Sequence, residues 1–344
     1  MTSSEYIARL LELRTMTNGS QVVTQRHIRE ALKAAYNEIV AILSLKKPDT
    51  LTHSYYLGRK IAVEDALHQL SLDLNSLTRF GMRSSTNRIA EVYAGLAAQY
   101  AGNPAIIRAM QGAFSTVPFA AVNNEIARIY PDGRNFSQRL WRLDRVAKRG
   151  VDQIISKGLI TGQSAVDMSK ELRRYLVDPS LKPGVIWTTA ATRSVTGRGT
   201  IHYNALRLAS TEINNAYRES MIMLNKSNPI TFAVKWHVSA SHPRPDICDV
   251  WADSDLYGFG PGVYPSAATP IDHPGGFCFI TDVLRPAAQW GQPKLEPSIR
   301  LHARSSILAP LAAKKGVTPG MLNSAWSVYG KTQSMISKVY KKAA

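Results

Sequence analysis

Residues 231–238 read TFAVKWHV, with Phe232, Val234, Trp236 and Val238 at every second position. That alternation predicts a half-buried strand over 232–238. A second strand is expected over 277–283, FCFITDV. The two pair economically if the stretch between them folds back on itself. That stretch, from His242 to Gly276, is too rich in Pro, Gly and Asp for a long helix. A structureless loop of about 35 residues is unusual unless it is braced or has a role. Trp236 and Trp251 are expected to pack it against the rest of the chain.

Upstream of Ile230 the period changes from two to three or four. Ser3 or Ser4 is placed to cap a helix carrying Ile7, Leu10 and Leu11, and Thr17–Ser20, with Gly19, reads as a turn. Helices are then expected over about 24–45, 56–70, 84–100 and 104–110, with KKPD at 46–49 as a stop. PDGRN at 131–135 is a turn, after which Ser137 is read as the cap of a helix bearing Leu140, Trp141, Leu143, Val146, Val151, Ile154 and Ile155. Gly158–Gly162 is read as a break. Ser164 caps the next helix, with Val166, Leu172 and Leu176, closed by Asp178 and Pro179. A polar loop occupies 180–200, and a long helix follows over 201–224 with Leu206, Ile213, Tyr217 and Met221 on one face. Beyond Pro286, helices are expected near 299–313 and 319–340.

The fold class is therefore mainly α: helical N-terminal and middle regions, a small α+β, loop-rich C-terminal domain and a helical basic tail. The segments are 1–130, 131–229, 230–285 and 286–344. The 344 residues hold 42 Lys and Arg against 25 Asp and Glu, a net charge of +17, and 44% hydrophobic residues. The apolar content excludes a wholly disordered chain. The charge points to an anionic partner. Ten basic and four acidic residues fall between Arg134 and Arg174, and the tail carries nine basic residues and one Glu. The candidate contacts to DNA or to a protein surface are Arg134, Arg139, Arg145, Lys148, Arg149, Lys314, Lys315, Lys341 and Lys342. Any DNA contact is expected through backbone charge, because no base-reading module is recognisable. No 18-residue apolar window is expected to span a membrane, and the N-terminus lacks a signal peptide's basic start and apolar run.

Two cysteines, Cys248 and Cys278, exclude a disulfide-dense scaffold and a four-cysteine metal site. The ligand types near the loop are His237, His242, Asp246, Cys248, Asp249, His273 and Cys278. Zinc needs about four such ligands; His242, Cys248, His273 and Cys278 supply the types, but no C-x2-C pair supplies the spacing. A buried, reduced cysteine pair packed as small hydrophobes is the simpler reading, and the expectation is a chain without a cofactor. Asp253 and Asp255, near Asp249, are carboxylates of the kind that hold magnesium or do acid–base work, but aspartates in such loops more often accept backbone hydrogen bonds. GFGPG at 258–262 has no phosphate-loop lysine and no following helix.

HPRPDICD, GFGPGVYP and HPGGFCF, in that order, resemble the C-terminal domain of phage head morphogenesis proteins, the minor head proteins typified by the F protein of phage Mu. The corresponding residues are Asp246, Cys248, His273, Pro274 and Cys278. RLASTEINNAYRES is similar to the family's upstream helix through Arg207, Thr211, Glu212, Asn215, Ala216 and Arg218. The helical pair before it matches at Arg139, Trp141, Gly158, Gly162 and Ser164. The likeness covers about 135–285. Many relatives have two close cysteines where this chain has one.

The resemblance implies a minor capsid protein of a tailed phage, present in multiple copies in the virion at the head interior or portal vertex after assembly in the host cytoplasm. It would act in head assembly and DNA packaging or exit, without enzymatic activity. Its partners would be the portal or major capsid protein, with genomic DNA touched non-specifically. In that reading Asp246, Cys248, Asp249, His273, Pro274 and Cys278 brace the loop. The alternatives are a metal-dependent nuclease or transferase that uses the Asp/His/Cys loop, and a general DNA-binding protein.

Overall fold

Helix α1 runs unbroken from Ser3 to Leu43, so the turn expected at 17–20 is absent. Leu13, Thr17, Gln21, Thr24 and Ile28 are all buried, and their spacing carries one inner stripe straight past Gly19. A mid-helix glycine costs about 1 kcal/mol, and the stripe offsets it. Helix α2, His53–Ala101, likewise merges two expected helices, because Leu70, Leu74, Thr78, Met82, Thr86 and Ile89 keep the period through the intervening residues. The computed structural model describes residues 1–44, 53–130, 132–177, 200–239, 245–272, 276–292, 312–313, 317–323 and 325–327.

Helix α3, Pro104–Ser115, starts where the Asn103 side chain accepts from the N–H groups of Ala105 and Ile106, with Pro104 at its first position. Helix α4, Val117–Ala127, follows after Thr116. Together Pro104–Ala127 is long and apolar enough to cross a membrane by composition. That corrects the expectation that no such window exists: Arg108 and Glu125 are its only charges. Here the stretch folds as two helices, and Met110, Phe114 and Val117 sit in a hydrophobic core.

Helix α5, Phe136–Ile160, is capped by Asn135 and not by Ser137. Asn135 and Gln138 form a reciprocal capping box, at 2.9 and 3.0 Å. Helix α6, Ala165–Leu176, is capped by Ser164, as expected. The break lies only at Thr161–Gly162, where Gly162 has φ +68°. Gly158 stays helical for packing: a side chain there would land on Met168, and one at Gly150 would land on the ring of Tyr175. The Tyr175 hydroxyl donates to the Val146 carbonyl at 3.0 Å, which fixes the pair as a close antiparallel hairpin. Helix α7 extends from Ile201 to Ser227, and the closing residues Asp178 and Pro179 lie outside the described residues.

Strand β1, Thr231–His237, is the centre of a three-stranded antiparallel sheet ordered β2–β1–β3. Strand β3, Phe279–Leu284, pairs along its length, with Trp236 opposite Ile280 and a bulge between Thr231 and Ala233. The intervening loop is braced internally. It forms helix α8, Ile247–Asp253, and strand β2, Val263–Tyr264, which pairs with the other edge of β1.

Among the described residues the fold is thus mainly helical with one small sheet, in a loop-rich C-terminal region. By contact the chain forms two units, each discontinuous in sequence. The first comprises 1–19, 82–125 and 213–344, and its core gathers Tyr93, Tyr217, Trp236, Trp251, Cys248 and Cys278. The second comprises 20–81 and 126–212, with Ile28, Leu32, Leu67, Val151, Ile154 and Tyr175 in its core. The expected segments are contiguous because composition and period are read along the chain; the units cut across them because α1, α2 and α7 each serve both. Of the expected tail helices, the described residues 319–323 and 325–327 are helical.

Candidate metal centre

Trp236 and Trp251 are fully buried in the first unit's core, as expected of the loop's packing anchors. Helix α8 begins there through its own aspartates. Asp246 accepts from the Cys248 N–H at 2.8 Å, and the Asp246 N–H donates to Asp249 Oδ2 at 2.7 Å. These two carboxylates are spent on the capping box. Asp255 is spent similarly, accepting from the N–H groups of Gly258 and Phe259 at 2.7 and 3.0 Å.

Capping turns Cys248, in the first turn of α8, inward. Cys278, just before β3, meets it there. The third member of the cluster is Asp272, which is not among the ligand types named from sequence. One donor atom from each of Cys248, Asp272 and Cys278 lies within 4.8 Å of the others, and all three residues are buried. The Cys248 thiol donates to Asp272 Oδ1 at 3.2 Å. Hydrogen bonding to Cys278 and then burial push the Cys248 thiol well above its usual range, and the same bond draws Cys278 down.

Helix α7 supplies the countercharge. Arg218 donates to Asp272 Oδ2 at 2.8 Å and to the Cys278 carbonyl at 3.0 Å, and also bonds Asn215. Its guanidinium lies 5.7 Å from the centre of the Trp236 ring. Asn214 donates to the Gly276 carbonyl at 3.0 Å and itself accepts from Arg14. Arg14, from α1, also reaches the Phe277 carbonyl at 3.0 Å. Three successive carbonyls are thus held by side chains, a substitute for sheet pairing just before β3. Gly276 is required by this arrangement, since a Cβ would fall on the Asp272 carboxylate.

The donor chemistry fits a divalent ion. Two sulfurs and one carboxylate oxygen are zinc ligands, and a shared centre about 2.0–2.3 Å from each needs only a small inward shift. Charge also balances. Two thiolates, Asp272 and Arg218 leave a net −2, which a divalent cation cancels. Without the ion, two protons do the same.

The remaining candidates lie elsewhere. His242, His273, Pro274, Lys314, Lys315, Lys341 and Lys342 are outside the described residues. His237, on β1, faces Thr281 at 2.8 Å and stacks on Phe279, so it serves the sheet. Glu212 belongs to the second unit, where it accepts from Tyr130 at 3.0 Å and pairs with Arg139 at 3.4 Å. Thr211 donates back to the Arg207 carbonyl at 2.7 Å. Arg134 and Arg139 pair with Asp132, and Lys148 pairs with Asp144.

A second buried network was also invisible in the sequence. Asp282 on β3 accepts from Tyr6 at 2.9 Å, Tyr93 at 2.6 Å and Asn225 at 2.7 Å. Burial and then Asp282 push both phenols well above their ordinary range, so they remain donors. For Asp272 a signal did exist: it stands beside His273 and four residues before Gly276, within the Pro-, Gly- and Asp-rich loop. Arg14 and Asp282 had none, since their partners are remote in sequence.

Comparisons with protein-family models, with curated proteins and with solved structures find no match for this chain.

Proposed function

We propose that this chain is a metal-dependent protein that holds one thiophilic divalent cation, zinc by its donor chemistry, between Cys248, Asp272 and Cys278. The buried three-donor cluster carries this reading. Three protein ligands leave a tetrahedral ion one further position, the arrangement in which zinc acts as a Lewis acid on water or on a substrate oxygen. The cluster therefore supports the metal-dependent nuclease or transferase ahead of the head-morphogenesis reading, which rests on resemblance alone. Asp249, spent on capping, is not the base of such chemistry. Asp272 and the two cysteines hold the ion, and Arg218 orients Asp272.

The test pairs metal analysis with turnover. The full chain, purified without chelator, is expected to carry one zinc and to cleave a chromogenic phosphodiester or a single-stranded oligonucleotide. Asp272→Asn should lose both. Absence of metal from the wild-type chain overturns the reading. One ion per chain without turnover on hydrolysis or transfer substrates would leave a bracing ion and return the advantage to the assembly role.

A further inference from the structure

The second unit carries an unspent cationic surface. Within the α5–α6 hairpin every carboxylate is paired with a lysine: Asp144 with Lys148, Asp152 with Lys60, Asp167 with Lys170 and Glu171 with Lys157. Arg134 and Arg139 are taken by Asp132 and Glu212. Arg142, Arg145, Arg149, Arg173 and Arg174 are left, all exposed and without an ion pair among the described residues.

Their placement is ordered. Trp141, Arg145 and Arg149 follow one another at four-residue steps, about 6 Å apart along the axis, with Arg142 one turn before Arg145. Arg173 and Arg174 lie in the last turn of α6. The next residue, Tyr175, rests against Gly150 and Val146, so that turn lies alongside the Arg145–Arg149 turn. Beside these cations Trp141 is 62% exposed.

We propose that this face binds single-stranded nucleic acid, with the five arginines on the phosphates and Trp141 stacked on an unpaired base. Guanidinium groups match phosphate oxygens in bidentate fashion, and an exposed indole offers a base-stacking platform. A lipid surface is a poorer fit. The apolar face of α5, with Leu140, Leu143, Ala147, Val151 and Ile154, is already buried in the unit's core and is not available to acyl chains. This inference is independent of the metal centre.

The test uses the full chain and a fluorescent 20-nucleotide oligodeoxythymidine, with affinity measured against salt. Arg142→Gln/Arg145→Gln/Arg149→Gln should lower affinity at least tenfold and reduce the salt slope by about 2, near 0.7 for each phosphate no longer neutralised. Trp141→Ala should weaken binding about five- to a hundredfold with the slope unchanged, and oligonucleotide should quench the wild-type indole fluorescence. Because these side chains are exposed, unfolding midpoints should stay put, which separates weaker binding from misfolding. Equal affinity for duplex, no effect of Trp141→Ala, or binding of polyglutamate in place of oligonucleotide would each overturn the proposal.

Discussion

The loop around Cys248 and the α5–α6 hairpin spend their polar groups in opposite ways. In the hairpin two of the four ion pairs, Lys148–Asp144 and Lys170–Asp167, are one turn apart, and the apolar stripes do the folding. Around Cys248 the polar groups are buried, and their partners lie far away in sequence: Arg218 with Asp272, Arg14 with Phe277. The first arrangement is assembled locally and tolerates loss. The second forms only when distant segments are already in place, so each member depends on the others.

The largest expected effect follows from that dependence. Arg218→Met leaves Asp272 buried beside two thiols without its cation, and should cost about 3–5 kcal/mol, read from the urea midpoint. Next, Gly150→Leu drives a side chain into Tyr175 at the hairpin's closest approach and should cost about 1–3 kcal/mol. Lys170→Met should change stability by no more than about 0.5 kcal/mol, because both partners of that pair are over half exposed. If Lys170→Met costs as much as Arg218→Met, the contrast between the two regions fails.

A pH effect sharpens the same comparison. Burial, and then Lys235, draws His237 down to about 4. The unfolded chain, with His near 6.5, therefore takes up the proton first as pH falls. His237 adds full stability above about 6.5, and that contribution is lost progressively towards pH 4. Thermal midpoints should fall through that window, and His237→Gln should flatten the fall.

What could be read from sequence follows the same division. Alternation in TFAVKWHV and three–four spacing elsewhere depend on neighbours, so the strands, the Ser164 cap and the helical majority were legible. Helix ends were less so. Gly19 and Gly158 read as breaks, but a turn signal cannot show that a buried stripe continues across it or that a glycine makes room for Met168. The two cysteines were visible as ligand types. That they meet, and meet Asp272 in place of a spaced motif, depends on the capped first turn of α8 and on Arg218, and no local pattern encodes those contacts.

Metal uptake should also follow pH, since binding displaces two thiol protons: affinity should fall about a hundredfold per pH unit in the acid range. The most direct measurement is a cobalt(II) titration of the reduced full chain. One equivalent should bind with the intense thiolate charge-transfer and tetrahedral d–d absorption of two-sulfur ligation, and Cys248→Ser or Cys278→Ser should each abolish it. A reduced, folded chain that takes up no cobalt, or whose spectrum is indifferent to both serine variants, would contradict a shared ion at Cys248, Asp272 and Cys278.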